Sequence, residues 1–220
     1  MGTALNGFNT IARVYDFLAR LVFGHELHTS QLVYLKKILP HANVLILGGG
    51  TGRILLPIFR ASPTCSVYYV EASEVMIQLA KRRGDQTKNF TVHFIHGTQN
   101  DIPNDVQFDV VITNFFLDMF STETATGVVD RLKSCLTEKG IWIATDFVKT
   151  TNWKHKMLLQ VMYLFFHAFA GIEAKQLPKW EEQLKMNGLQ EMESTLFVGG
   201  FVKTAWYRRK FVEPARLFLP

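Results

Sequence analysis

Residues 43–56 read Asn-Val-Leu-Ile-Leu-Gly-Gly-Gly-Thr-Gly-Arg-Ile-Leu-Leu, and this stretch constrains the chain more than any other. Val44, Leu45, Ile46 and Leu47 form a continuous apolar run, as in a strand buried on both faces. Gly48, Gly49, Gly50, Thr51 and Gly52 follow at once, and Ile54, Leu55, Leu56, Ile58 and Phe59 then recur at helical spacing. Strand, glycine turn and helix together bring bare backbone N–H groups to a ligand at a helix N-terminus.

Two ligand classes use this device, and glycine spacing separates them. A dinucleotide fold wants G-x-G-x-x-G, its third glycine letting helix and strand pack closely. Counted from Gly48 that third position is Arg53, and counted from Gly50 it is Leu55. A nicotinamide-dependent oxidoreductase is therefore disfavoured. The pattern present is G-x-G-x-G at Gly48, Gly50 and Gly52. Residues 66–70 read as the next strand, and Glu71 closes it nineteen residues after Gly52. That is close to the separation of about 20 at which an acid reaches a ribose diol. A carboxylate suits the task because it accepts hydrogen bonds from both hydroxyls.

The glycine string with Glu71 resembles the first motifs of class I S-adenosylmethionine-dependent methyltransferases. The resemblance implies S-adenosylmethionine as cofactor and S-adenosylhomocysteine as product. It implies a cofactor site built from Gly48, Gly50, Thr51, Gly52, Glu71, Ala72 and Met76, with Met76 against the adenine. Residues 96–103 resemble the family's loop that reads the adenine edge. The family's acid after Gly97 is Thr98 here, which leaves Thr98 and Gln99 to bond the exocyclic amine. Residues 11–16 resemble the segment before the core in the ubiquinone and menaquinone C-methyltransferases, where the tyrosine matching Tyr15 lies against the cofactor. Tyr15 is otherwise an ordinary packing aromatic.

The implied fold is α/β: a Rossmann-like, doubly wound, seven-stranded sheet with its last strand antiparallel, under an N-terminal and an inserted helical cap. The expected organisation is a single methyltransferase domain over 1–220. It divides into an N-terminal cap over 1–40, a cofactor core over 43–150, a helical lid over 151–188 and a C-terminal β-hairpin over 189–212. Phe8, Ile11, Tyr15, Leu18 and Val22 predict a first helix ended by Gly24. A second starts at Thr29 or Ser30, buries Leu32, Leu35, Ile38 and Leu39, and stops at Pro40. Ser73 caps a helix that runs to Gly84. Residues 91–95 and 108–113 are the third and fourth strands. Ser121 opens a helix burying Ala125, Val128, Val129, Leu132 and Leu136, and residues 140–146 are strand five. Residues 153–169 form a broad apolar helix, and Pro178 suits the first turn of a short one ended by Gly188. Strands over 192–198 and 201–208 join through Gly199 and Gly200.

The fourth strand ends in Asn114, Phe115 and Phe116 at the switch-point crevice where open α/β sheets bind ligands. Asn114 offers a donor and an acceptor there. Phe115 and Phe116 either wall the sulfonium, since an aromatic face attracts a cation, or pack the core. Methyl transfer is an in-line displacement, and a base is needed only if the nucleophile must lose a proton. Asp118 is the first candidate, as base or as substrate anchor; its alternative is capping the helix near Ser121. Asp146 is the second, or ends its strand in a turn. His25 is the third; it, His28 and His155 lie in the expected cap, where each is otherwise a surface or hydrogen-bonded residue.

Composition narrows the partners. Of 220 residues 48% are hydrophobic and the net charge is +5, but the basic residues are scattered, which argues against nucleic acid. Cys65 and Cys135 are far apart and no His/Cys set has ligand spacing, so no metal is expected. The N-terminus has no cleavable signal, and the cytoplasm is the expected compartment. The apolar stretch over 157–169 is interrupted by Gln160 and His167 and is shorter than the roughly 20 residues a bilayer requires. Peripheral membrane contact stays open, as does monomer or homodimer. The expected reaction is methylation of a small apolar or aromatic acceptor at O, C or N. Its competitor is a catalytically silent cofactor-binding scaffold.

Overall fold

The computed structural model describes residues 25–85, 90–170 and 177–210. The helix expected over 8–22, its stop at Gly24 and Tyr15 all lie outside the described residues. Seven strands form one sheet: β1 (Asn43–Leu47), β2 (Ser66–Glu71), β3 (Thr91–His96), β4 (Phe108–Asn114), β5 (Leu136–Phe147), β6 (Leu189–Phe197) and β7 (Val202–Arg209). Their order is β3-β2-β1-β4-β5-β7-β6. The first five are parallel, and β7 inserts antiparallel between β5 and β6. The chain runs outward from β1 through β2 to β3, then crosses to β4 on the other side. The switch point therefore falls between β1 and β4, and the ends of those strands frame a crevice.

The helices are α1 (Glu26–Ser30), α2 (Leu55–Ala61), α3 (Glu74–Gly84), α4 (Thr122–Cys135), α5 (Trp153–Ala170) and α6 (Trp180–Met186). Because β1 is covered on both sides, its alternate residues enter different cores. Leu45 and Leu47 join Val111, Trp142 and Val129 of α4. Val44 and Ile46 join Ile58 and Phe59 of α2, Tyr69 and Ile112 on the opposite face. A third cluster sets Leu27 of α1 against Phe147, Leu177, Phe201 and Val202, with Leu158, Leu159 and Met162 of α5 packed on it. Among the described residues, no helix is long and apolar enough to cross a membrane.

Several element ends differ from those expected. The helix expected from Thr29 or Ser30 to Pro40 is instead the short α1 followed by a 3-10 turn at Leu35–Lys37. Tyr34 breaks it: its ring is buried and its hydroxyl is 3.0 Å from Thr195 Oγ1 on β6, an anchor a continuous helix does not place there. The backbone is already extended at Ile38, and Leu39, expected to be buried, is exposed. Strand five starts at Leu136, not Gly140, because a register shift lets Leu136 pair with Phe108. Leu136 thus belongs to β5 and Cys135 ends α4. Pro178 precedes the last short helix, whose N-cap is Lys179. The hairpin strands begin at Leu189 and Val202 and turn through Val198, Gly199 and Gly200, all at positive φ.

Candidate functional site

The glycine turn leaves β1 with Gly48, Gly50 and Gly52 at φ +69°, +63° and +82°, the left-handed region that side chains disfavour. Three of its glycines are also required by close packing. A Cβ on Gly48 would lie 2.4 Å from the Phe116 ring, one on Gly49 2.2 Å from the Tyr69 ring, and one on Gly52 2.8 Å from the Ala80 backbone. Gly50 is different. A Cβ there meets nothing within 4 Å, so its backbone borders open space.

Side chains behind the turn hold that backbone in place. The Tyr69 hydroxyl donates to Gly50 O at 2.9 Å, and the Arg83 guanidinium of α3 donates to Thr51 O. Thr51 itself is buried. Glu71, at the end of β2, is only 8% exposed. Its Oε2 accepts from Gly50 N and its Oε1 from Ser73 N, each at 2.8 Å. Burial raises its pKa, opposed by the N–H groups of Ser73, Gly50 and Ala72 and by nearby His96. A carboxylate has about four lone-pair sites, so some acceptor capacity remains for a further donor. The His96 Nε2 lies 3.1 Å from Ala72 O, which requires the proton on Nε2 because a carbonyl only accepts. Met76 is buried, and Ser73 Oγ accepts from its N–H to cap α3.

Thr98 is engaged within its own turn. Its hydroxyl accepts from Asn100 N and contacts Asp101 Oδ2, while Asp101 accepts from Thr98 N at 2.8 Å. This is a capping box on the 3-10 turn at Gln99–Asp101, with Gln99 half-buried beside it.

At the end of β4, Asn114 Oδ1 is buried without a hydrogen-bond partner. Phe115 follows at φ +50°, a conformation costing a non-glycine residue about 1–2 kcal/mol. Its N–H donates to Thr145 O at 2.7 Å, and its ring sits 5.2 Å from that of Phe147. Phe116 packs the core beneath Gly48, in edge contact with Phe120. Of the two phenylalanines, Phe116 is thus a core residue.

Asp118 and Asp146 come together under the same strand ends. Both are buried, at 9% and 1% exposure, and their carboxyl groups are hydrogen-bonded to each other. Asp146 does not end β5 in a turn. Its Oδ2 accepts from Leu117 N and Asp118 N and its Oδ1 from Phe147 N, so it is fixed on three backbone donors. Asp118 Oδ1 is buried with no partner. Two carboxyl groups bond to each other only when one holds a proton, and burial pushes Asp118 up to about 7. Asp146 is raised too, by burial and by Asp118. Helix α4 is capped by Ser121, whose Oγ accepts from Thr124 N, not by Asp118.

Tyr163 of α5 faces the pair: burial and the charges of Asp118 and Asp146 raise its phenol, which keeps its proton. His25 is exposed at the start of α1 and its carbonyl accepts from Thr29 N. His155 stacks on Phe201 with ring centroids 4.9 Å apart, its Nδ1 3.4 Å from Thr150 Oγ1. His28 lies in the last turn of α1. A cavity of about 390 Å³ opens elsewhere, between the end of β5, α6 and the hairpin, lined by Phe147, Leu177, Trp180, Leu196 and Lys203. None of the expected site residues lines it, and its Lys203 is already paired with Glu181 and Glu191.

Four contributors were not legible in the sequence: Tyr69, Arg83, His96 and Tyr163. Tyr69 read as an ordinary strand residue, His96 as the first residue of the loop after the third strand, Arg83 as a helix-end cation and Tyr163 as one apolar-helix aromatic among several. Only strand register and helix packing bring them to the site.

Residues 44–140 match the family model for a methyltransferase domain. No curated protein matches the sequence. Among solved structures, the chain is similar to the mitomycin 7-O-methyltransferase MmcR, with a TM-score of 0.66, 16% identity, and coverage of 90% of this chain and 58% of that one. It is similar to magnesium protoporphyrin IX methyltransferase (ChlM) from Synechocystis PCC 6803 with bound S-adenosylhomocysteine, with a TM-score of 0.63, 19% identity, and coverage of 84% and 82%. It is also similar to NcsB1, an O-methyltransferase from neocarzinostatin biosynthesis in complex with S-adenosylmethionine and 2-hydroxy-5-methyl naphthoic acid, with a TM-score of 0.63, 16% identity, and coverage of 92% and 60%. The chain spans about three-fifths of the length of MmcR and NcsB1. These likenesses establish the fold as the Rossmann-like seven-stranded sheet of methyltransferases, with its last strand antiparallel.

Proposed function

We propose that this chain is an S-adenosylmethionine-dependent methyltransferase acting on a small apolar or aromatic acceptor. The observation that carries the reading is the open backbone at Gly50, hydrogen-bonded to Glu71 at the β1–β4 switch point. It is a cradle that any side chain at position 50 would fill. When bound, the cofactor supplies an electrophilic methyl group on a sulfonium. Gly48, Gly50, Thr51 and Gly52 present main chain to its amino-acid end. Glu71 takes the ribose hydroxyls on its remaining lone pairs, with Ala72, Met76, Thr98 and Gln99 around the adenine. Asn114 and Phe115 border the reacting end. Tyr15 is a further cofactor contact in this reading.

Asp118 is the proposed base. Asp146, fixed on three N–H groups, holds it and shares its proton. The free Oδ1 of Asp118 accepts a proton from an acceptor hydroxyl or amine as the new bond forms, and the pair stays one proton richer until solvent relieves it. The apolar side chains Phe115, Phe147, Leu158, Leu159 and Met162 suit an apolar substrate, with the segment over 1–40 and the helices over 151–188 as its cap. NcsB1, with its hydroxylated naphthoic acid, is consistent with an aromatic O–H acceptor. His25, exposed, is an accessory candidate only.

Calorimetry with S-adenosylhomocysteine tests the cofactor half. Transfer of isotope-labelled methyl groups into a cell extract, read by mass spectrometry, tests the reaction. Absence of nucleoside binding removes the proposal, whereas binding without transfer to any small molecule assigns the chain to the silent scaffold class.

A further inference from the structure

The outer face of α5 carries an apolar stripe whose charge pattern identifies what it meets. Trp153, Met157 and Val161 are 66%, 54% and 58% exposed and recur every fourth residue. At about 100° per residue they span roughly 80° of the helix circumference, with Lys154 about 20° beyond one edge and Lys156 about 60° beyond the other. The inner side of the same helix is occupied, with Leu158, Leu159 and Met162 packed on Phe147 and Phe201. The stripe is therefore not the face that seats α5 on the sheet.

From residue 148 to 172 the chain has Lys149, Lys154 and Lys156 and no aspartate or glutamate. Among the described residues, the acids near this face are engaged. Glu26 accepts from Val198 N on the hairpin turn, and Glu181 and Glu182 pair with Lys203 and Lys179. That turn lies beside the start of α5, since a Cβ on Gly199 would be 3.5 Å from His155. A protein partner matching this face would present acids in register with three lysines around one tryptophan. A bilayer needs no register. It takes apolar side chains at the headgroup boundary and attracts lysines through anionic lipid.

We infer that the outer face of α5, with Trp153, Met157, Val161 and the flanking lysines, is a peripheral docking surface for anionic lipid bilayers. The inner side of that helix carries Tyr163 toward Asp118 and Asp146. The inference rests on this surface and holds whatever the chemistry at the switch point.

The tryptophans supply the test. Trp142, Trp180 and Trp206 are buried, so Trp153 alone reports on the surface. The full chain is mixed with phosphatidylcholine vesicles, with or without phosphatidylglycerol. We expect co-sedimentation and a blue shift of emission with the anionic vesicles only, both reversed by salt. Trp153→Phe removes the shift, and the exposed double change Met157→Ser with Val161→Ser lowers the bound fraction at least about tenfold with unchanged circular dichroism. No sedimentation with anionic vesicles, or equal sedimentation with neutral ones, overturns the inference. So does shielding of Trp153 from acrylamide without vesicles, which gives the face to another segment of the chain. Dimerisation abolished by Met157→Asp, with no vesicle binding, overturns it in favour of a second copy.

Discussion

The backbone N–H of Gly50 donates to Glu71 Oε2 at 2.8 Å, joining the open point of the glycine turn to the buried acid of β2. Glu71 Oε1 accepts from Ser73 N on its other side. Glu71→Gln keeps the shape but turns an NH₂ group toward one of these donors. Leaving a buried donor unsatisfied costs about 1–3 kcal/mol. We expect a lower unfolding midpoint and at least about tenfold weaker binding of S-adenosylhomocysteine, the second from losing a ribose acceptor. Unchanged affinity in calorimetry would separate Glu71 from the nucleoside.

Gly49 and Gly50 respond differently to substitution. A methyl group on Gly49 collides with the buried Tyr69 ring, so Gly49→Ala is expected to destabilise by more than about 2 kcal/mol in denaturant unfolding. A Cβ on Gly50 meets no protein atom within 4 Å, so Gly50→Val bears mainly the strain of its positive φ, about 1–2 kcal/mol. It is expected to fold and to lose nucleoside binding. A Gly50→Val protein with native affinity for S-adenosylhomocysteine contradicts the cradle.

Asp118 makes the reaction and the stability depend on pH in opposite senses. Its carboxyl is raised by burial from 3.8 to about 7, so the base form fills as pH rises through about 7 and the transfer rate rises with it. Ionising it in the folded state is unfavourable. The stability it contributes is complete below 3.8 and is lost as pH rises toward about 7. Asp118→Asn should cut turnover about 10²–10⁴-fold and flatten the pH–rate profile. It should also lessen the loss of stability over that interval, measured by urea unfolding at several pH values. A variant with full turnover excludes Asp118 as the base.

Thr98 is bonded within its own turn, which gives it a structural signature. Thr98→Ala removes the reciprocal cap and should cost about 0.5–2 kcal/mol of stability. Nucleoside affinity measured well below the melting temperature should stay within about threefold. A large loss of affinity with no loss of stability would show the Thr98 hydroxyl bonding the adenine directly.

Much of this molecule was written in local pattern. The apolar run at Val44–Leu47, the glycine string and the acid at Glu71 foretold β1, its turn and the end of β2, because those signals act over a few residues. The caps at Ser73 and Ser121 were legible for the same reason. The second helix was misjudged because a tertiary anchor, Tyr34 on Thr195, outweighed local spacing. The start of β5 was misjudged because a register shift is set by the partner strand.

By itself, then, the sequence determined that a buried parallel strand would run into a glycine turn, with an acid closing the next strand, since glycine conformation and strand burial are properties of neighbouring residues. Only the tertiary structure decided that Gly50, of the glycines in its turn, faces open space, that Tyr69 and Arg83 brace that turn, and that Asp118 meets Asp146 beside Tyr163. These pairs are distant in the chain, and strand order and helix packing alone set which side chains become neighbours.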